Sequence, residues 1–157
     1  MNIRQARTED VSRIAEIFVT NYRNNFYPIF KSDEFYFGEL NVLDTAKEYL
    51  ENPELLANTY VYDDGVIRGF IRLHEDEIEK LHIETHFQGR GIGAELLKFA
   101  LEEKGAKWLW VLQQNERGAA FYKRYGFDFT GEKFMEDGWI PLLKMSVYGG
   151  NYGTSGN

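Results

Sequence analysis

The chain has 157 residues, 43% hydrophobic, 16% aromatic and 27% charged, with 25 acidic against 18 basic side chains and a net charge of −7. That length suits one domain, and the balance is that of a globular chain. The acidic surplus argues against nucleic acid, whose phosphates need a basic face, and favours cationic partners such as amines at long range. Cysteine is absent, which excludes a disulfide framework, a thiolate nucleophile and a cysteine-based zinc site. The histidines, His74, His82 and His86, lack the H-E-x-x-H spacing of a helical metal site, so no metal is expected. The N-terminal stretch has no signal-peptide pattern, and no run approaches ~18 apolar residues, so the expectation is a cytoplasmic protein without a membrane partner.

In chain order, Ile3 to Ala6 suits a short strand, and Thr8-Glu9-Asp10 opens a helix with a hydroxyl cap and acids in its first turn. Val11, Ile14, Ala15, Ile17, Phe18 and Tyr22 recur at helical spacing. The next stretch, NNFYPIFKSDEFYFGEL, is rich in aromatics and interrupted by Pro28 and Gly38, which predicts a loop with short helical turns. Leu43 to Leu50 predicts a second helix, closed by Asn52-Pro53. Three strands follow, Thr59 to Tyr62, Val66 to Leu73 and Ile78 to Ile83, separated by Asp63-Asp64-Gly65 and Glu75-Asp76. Gly91 to Lys104 is a strong helix ended by Gly105, and Trp108 to Leu112 reads as a buried parallel strand. Asn115 can cap a helix over Glu116 to Tyr125, and two strands, Phe127 to Phe134 and Ile140 to Tyr148, complete the order βααβββαβαββ. The polar, Gly-rich tail over 149–157 is expected to be flexible.

Between the third strand and the strong helix lies Phe87-Gln88-Gly89-Arg90-Gly91-Ile92-Gly93. Alternate glycines let a backbone approach a ligand closely and turn several N–H groups into one cavity; the helix start adds the positive end of its dipole. That combination fits phosphate or pyrophosphate, with Arg90 as a cation at the rim. The P-loop pattern is absent, because no Gly-Lys-Ser/Thr occurs, and the dinucleotide fingerprint fails on spacing and on the missing acid after the next strand.

The later segment from Asn115 to Phe127 changes the weight of the loop. Gln88, Gly91 and Gly93 match [QR]-x-x-G-x-[GA], and Asn115, Ala120, Phe121, Tyr122, Gly126 and Phe127 match an N…A…F-Y-x-x-x-G-F element, one helix and one strand further on. Together they resemble the GNAT superfamily of N-acetyltransferases. The resemblance implies an α/β fold: a GNAT-like mixed central sheet with splayed parallel strands, flanked by helices, in one domain over 1–148. It implies acetyl-CoA as co-substrate, its pyrophosphate held by the amides of Gln88, Gly89, Arg90, Gly91, Ile92 and Gly93. The cofactor arm would meet the backbone of Leu81, His82 and Ile83 and the side chain of Asn115, which also suits a plain helix cap.

Acetyl transfer to an amine needs a base, since the attacking amine must be neutral, and gains from an acid that protonates the leaving thiolate. Strand alternation groups Glu77 and Glu79 with Leu81 and Ile83, the expected buried face, and sets Lys80, His82 and Glu84 opposite. Glu79 and Glu77 match positions where family members place a base. Tyr122 matches the family's general acid. Phe26, Tyr27 and Phe30 fall where the family builds a wall of its acceptor site. The acceptor expected is a peptide α-amine, a lysine or a small amine, acetylated directly because no cysteine can carry the acetyl group. A non-catalytic acyl-CoA sensor would keep the loop and Asn115 without needing Tyr122 or the strand carboxylates. A homodimer stays open.

Overall fold

The computed structural model describes residues 2–147, and the expected flexible tail lies outside the described residues. The strands are β1 (Ile3–Gln5), β2 (Thr59–Asp63), β3 (Ile67–His74), β4 (Glu77–Ile83), β5 (Trp108–Leu112), β6 (Phe127–Glu136) and β7 (Ile140–Val147). The helices are α1 (Val11–Phe30), α2 (Val42–Glu51), α3 (Pro53–Ala57), α4 (Ile92–Glu103) and α5 (Glu116–Arg124). The class is the expected mixed α/β, with strand order β1-β2-β3-β4-β5-β7-β6 in a seven-stranded sheet. The β1–β2, β2–β3, β5–β7 and β6–β7 pairs are antiparallel, and β4–β5 is parallel, with Glu77 opposite Trp108 and Ile78 opposite Leu109. No helix among the described residues is long and apolar enough to cross a membrane.

The chain divides into two compact units. The first takes the described residues up to Leu73 together with Lys80–Ala100; the second takes His74–Glu79 and the described residues from Leu101 on.

In the first unit, Ile14 and Ile17 of α1 meet Tyr49 of α2 and Val61 and Phe70 of the sheet in a buried core. The entry to α1 differs from the expected Thr8 cap. Thr8–Asp10 forms a 3-10 turn, and the Asp10 carboxylate accepts the Arg7 amide at 2.8 Å and Arg4 Nη1 and Nη2 at 2.8 and 3.0 Å. Hydrogen bonding from Arg4 holds that carboxyl below its ordinary value.

The expected loop after Tyr22 is another correction. α1 runs on through Pro28 to Phe30: the proline forfeits its own N–H bond and crowds the carbonyl one turn back, and Phe26, Tyr27 and Phe30 recover the cost by packing on Tyr36 and Leu40. Lys31, left-handed at φ 53°, ends the helix, and Phe35–Glu39 adds a π-helical turn. α2 ends at Glu51, as Asn52-Pro53 predicts, and Pro53 also opens α3, at a position where its missing N–H has no partner to lose.

β4 is half-buried on both faces, where one buried face was expected. The side chain of His82 lies against α1, its ring 5.5 Å from Phe18, 5.6 Å from Tyr22 and 5.6 Å from Phe70 of β3. Ile78, of the same parity, is buried, and Lys80, Leu81, His82 and Ile83 are all half-buried. Gly69 on β3 leaves room for the Ile83 side chain: a Cβ there would stand 2.6 Å from Ile83 Cδ1 and 2.8 Å from the His82 carbonyl oxygen.

The second unit is built on β5, whose Leu109, Val111 and Leu112 are buried, and on the fully buried Met145 of β7. Asp76 fixes the start of β5, its carbonyl accepting the Lys107 amide at 2.7 Å and its carboxylate the Trp108 indole N–H at 3.0 Å. The β6–β7 ladder shifts register between Phe129 and Lys133, which bends the hairpin.

Candidate functional site

In the first unit, the segment leaving β4 is tied down before the glycines begin. The Ile83 carbonyl accepts two side-chain amides, Asn21 Nδ2 from α1 at 2.9 Å and Gln88 Nε2 from the loop at 3.1 Å. One turn beyond Asn21, Asn24 Nδ2 donates to Thr85 Oγ1 at 3.1 Å. Glu84 accepts the His86 amide and stands 2.9 Å from His86 Nδ1, shaping a 3-10 turn over Thr85–Phe87. Phe87 has the Arg68 guanidinium 4.3 Å and the Arg90 guanidinium 5.4 Å from its ring centre.

Gly89 and Gly91 then take left-handed conformations, φ 79° and 83°, with no atom within 4 Å of where a Cβ would sit. Glycine is needed there for its backbone freedom, and the space beside it is open. The Glu95 amide already bonds the Gly91 carbonyl at 3.1 Å, so the amides of Ile92, Gly93 and Ala94 precede the helical ladder of α4. Ile92 also buries its side chain, which pins the helix start to the core. The loop thus offers unladdered amides, the helix dipole, exposed Arg90 and room beside two glycines, a donor set that fits a pyrophosphate.

Leu81, His82 and Ile83 lie with the loop in the first unit. His82 is enclosed by rings and has Asn21 Nδ2 3.4 Å from its Nδ1; burial, reinforced by the charges of Lys80 and Arg72, pushes its pKa down to about 3. It is neutral at working pH. Phe26, Tyr27 and Phe30 lie in the last turns of α1, half-buried against Val19, Tyr36 and Leu40. Tyr27 donates its hydroxyl to Asp33, which raises the phenol's pKa.

In the second unit, Glu77 and Glu79 are half-buried on one face of β4. Asn115 caps α5, its Oδ1 accepting the Gly118 amide at 2.9 Å. Gly118 is bare for that reason: a Cβ would come within 2.4 Å of Asn115 Nδ2. Tyr122, two turns along α5, is half-buried between Phe121 at 5.3 Å and Phe127 at 5.6 Å, and desolvation pushes its phenol up to about 12. A phenol so placed stays protonated through the neutral range and can donate its O–H.

Sequence reading passed over Asn21, Asn24 and Arg68. For Asn21 a signal was available: it falls at the core-facing spacing of α1, four residues after Ile17, where a polar side chain needs a partner to justify it.

A profile described as Acetyltransferase (GNAT) domain matches residues 56–128. The peptidyl-lysine N-acetyltransferase YjaB of Escherichia coli is 32% identical over 108 residues, covering 68% of this chain and 72% of that protein. An uncharacterized N-acetyltransferase of Methanocaldococcus jannaschii is 37% identical over 73 residues, and there the match spans only 31% of the relative's length. The solution structure of apo YjaB from E. coli superposes with a TM-score of 0.74 at 26% identity, over 92% of this chain and 95% of that one. The PaiA N-acetyltransferase of Thermoplasma acidophilum, solved in complex with coenzyme A, shares the fold at TM-score 0.69 and 21% identity, over 90% and 96%. The chain belongs to the GNAT acetyltransferase family, whose acetyl donor is acetyl-CoA.

Proposed function

We propose that the chain, acting as one domain over 1–148, moves the acetyl group of acetyl-CoA to a primary amine by direct attack in a ternary complex. The loop carries the reading: two left-handed glycines with open space beside them, followed by the unladdered amides of α4. Gln88, Gly89, Arg90, Gly91, Ile92 and Gly93 hold the pyrophosphate. The backbone of Leu81, His82 and Ile83, with Asn115, orients the cofactor arm.

Glu79, Glu77 or both take a proton from the acceptor, directly or through water, and leave a neutral amine. The nitrogen forms its bond to the acetyl carbon as the carbon–sulfur bond breaks, Tyr122 gives its phenolic proton to the sulfur, and the proton that the acylated nitrogen then sheds returns through water to the phenolate. His82 is no base here, since its protonated form is suppressed down to about pH 3. Phe26, Tyr27 and Phe30 shape the acceptor side. The acceptor class is a peptide α-amine, a lysine or a small amine, and the name of the E. coli relative supports lysine.

The test is a panel of amines and peptides with acetyl-CoA, followed by release of coenzyme A thiol. Amine-dependent release that drops in a folded Tyr122→Phe variant supports the assignment. Tight acetyl-CoA binding without release on any amine would show a binding module instead of an enzyme.

A further inference from the structure

Half-buried cations of the first unit have clear oxygen partners. Arg4 pairs with Asp10 and Asp63, Arg13 with Glu16, Arg68 with Asp64, and Arg23 donates to the carbonyls of Tyr36 and Leu40. Lys80 is different. Among the described residues its ammonium has no carboxylate within ion-pair distance, although the chain carries 25 acids. Its surroundings are aromatic: the nitrogen lies 5.4 Å from the ring centre of Phe18 and 5.0 Å from that of Tyr22, and it donates to the Tyr22 hydroxyl.

An ammonium has three N–H donors, and that contact uses one. Tyr22 accepts from Lys80, so its own O–H remains to donate in the same place. Tyr22 and Phe26, edge to face at 4.8 Å, add an apolar wall on α1. A cation half-withdrawn from water, with spare donors, a neighbouring hydroxyl and no anion of its own, is complementary to a carboxylate.

We propose that Lys80, with the Tyr22 hydroxyl, binds a carboxylate carried by the acceptor, so that the preferred substrates are carboxylate-bearing amines. This rests on the transferase reading and narrows its acceptor class. The carboxylate can belong to a free amino acid or to an acidic side chain near the reacting amine of a peptide.

The experiment compares matched pairs by coenzyme A thiol release: 4-aminobutyrate against butylamine, and a lysine peptide with a neighbouring glutamate against the same peptide with glutamine. In at least one pair the carboxylate member should have an amine KM about 10-fold lower, the scale of one charge-assisted hydrogen bond, and the pair that shows it identifies the source. Lys80→Met should bring the ratio close to one, and Lys80→Arg should preserve it. If Lys80→Met does not fold, Tyr22→Phe should lower the ratio in its place. Equal KM values in both pairs, or a preference that survives Lys80→Met or Tyr22→Phe unchanged, overturns the proposal and leaves the transferase reading standing. Absence of thiol release with every amine overturns both.

Discussion

Acidification should weaken the fold through His82 before any carboxylate contributes. An imidazole ordinarily titrates near 6.5, and here burial among Phe18, Tyr22 and Phe70 brings it to about 3. The unfolded chain therefore takes up a proton that the folded chain refuses. Stability is fully present above about pH 6.5 and falls as the pH drops from there towards 3. The slope approaches about 1.4 kcal/mol per pH unit, so lowering the pH from 7.5 to 5.0 should cost about 2 kcal/mol. The carboxyls of Asp10, Asp63 and Glu84, each held below its ordinary value of 3.8 or 4.5, contribute only at lower pH. Urea unfolding at fixed ionic strength, followed by tryptophan fluorescence across that range, measures the effect. His82→Phe keeps a ring in the aromatic cluster and removes the proton site, so its stability should change by less than about 0.5 kcal/mol over the same interval. A flat parent profile, or an equal loss in parent and variant, would refute the reasoning.

The other expectations concern glycines and Tyr122. Gly91→Val forces a β-branched residue to φ 83° and should weaken acetyl-CoA binding severely by calorimetry; unchanged affinity in the folded variant contradicts the loop assignment. Gly69→Val drives a side chain into the His82 carbonyl and Ile83, and should destabilise by roughly 2 kcal/mol or more in thermal unfolding. A loss below the noise would mean that β3 and β4 yield easily. Tyr122→Phe should lower kcat about 10²-fold with little change in acetyl-CoA affinity, and an effect confined to affinity would make the phenol a binding group.

The parts of the fold legible in the sequence were those set by local chemistry. Alternating apolar runs placed most strands, Gly105 ended α4 where a left-handed cap was expected, and the Asn115 cap could be read because its partner, the Gly118 amide, lies three residues away. The failures lie where distant residues decide. Pro28 signals a break, yet contacts of Phe26 and Phe30 with Tyr36 and Leu40 outweigh its missing hydrogen bond and the crowding of the preceding turn by its ring. Lys80 and His82 look like solvent-facing residues of β4, but an ammonium can rest on aromatic rings and a neutral imidazole can lie among them, so both turn towards α1. The glycine loop was found from its spacing, whereas the residues that hold it were missed because the contact from Asn21 to Ile83 spans 62 positions.

That long contact separates signature from support. The profile match begins at residue 56, well after α1, yet Asn21 and Asn24 on α1 are what secure Ile83 and Thr85 at the mouth of the loop. An excised 56–128 fragment would retain every glycine of the motif and the Gln88 amide, and lose the two amides that α1 supplies. Grafting that stretch onto a relative would succeed only where the recipient's first helix offers amide donors at matching positions. Divergence in the amino-terminal helix is thus a route by which members carrying one and the same loop can come to hold it differently.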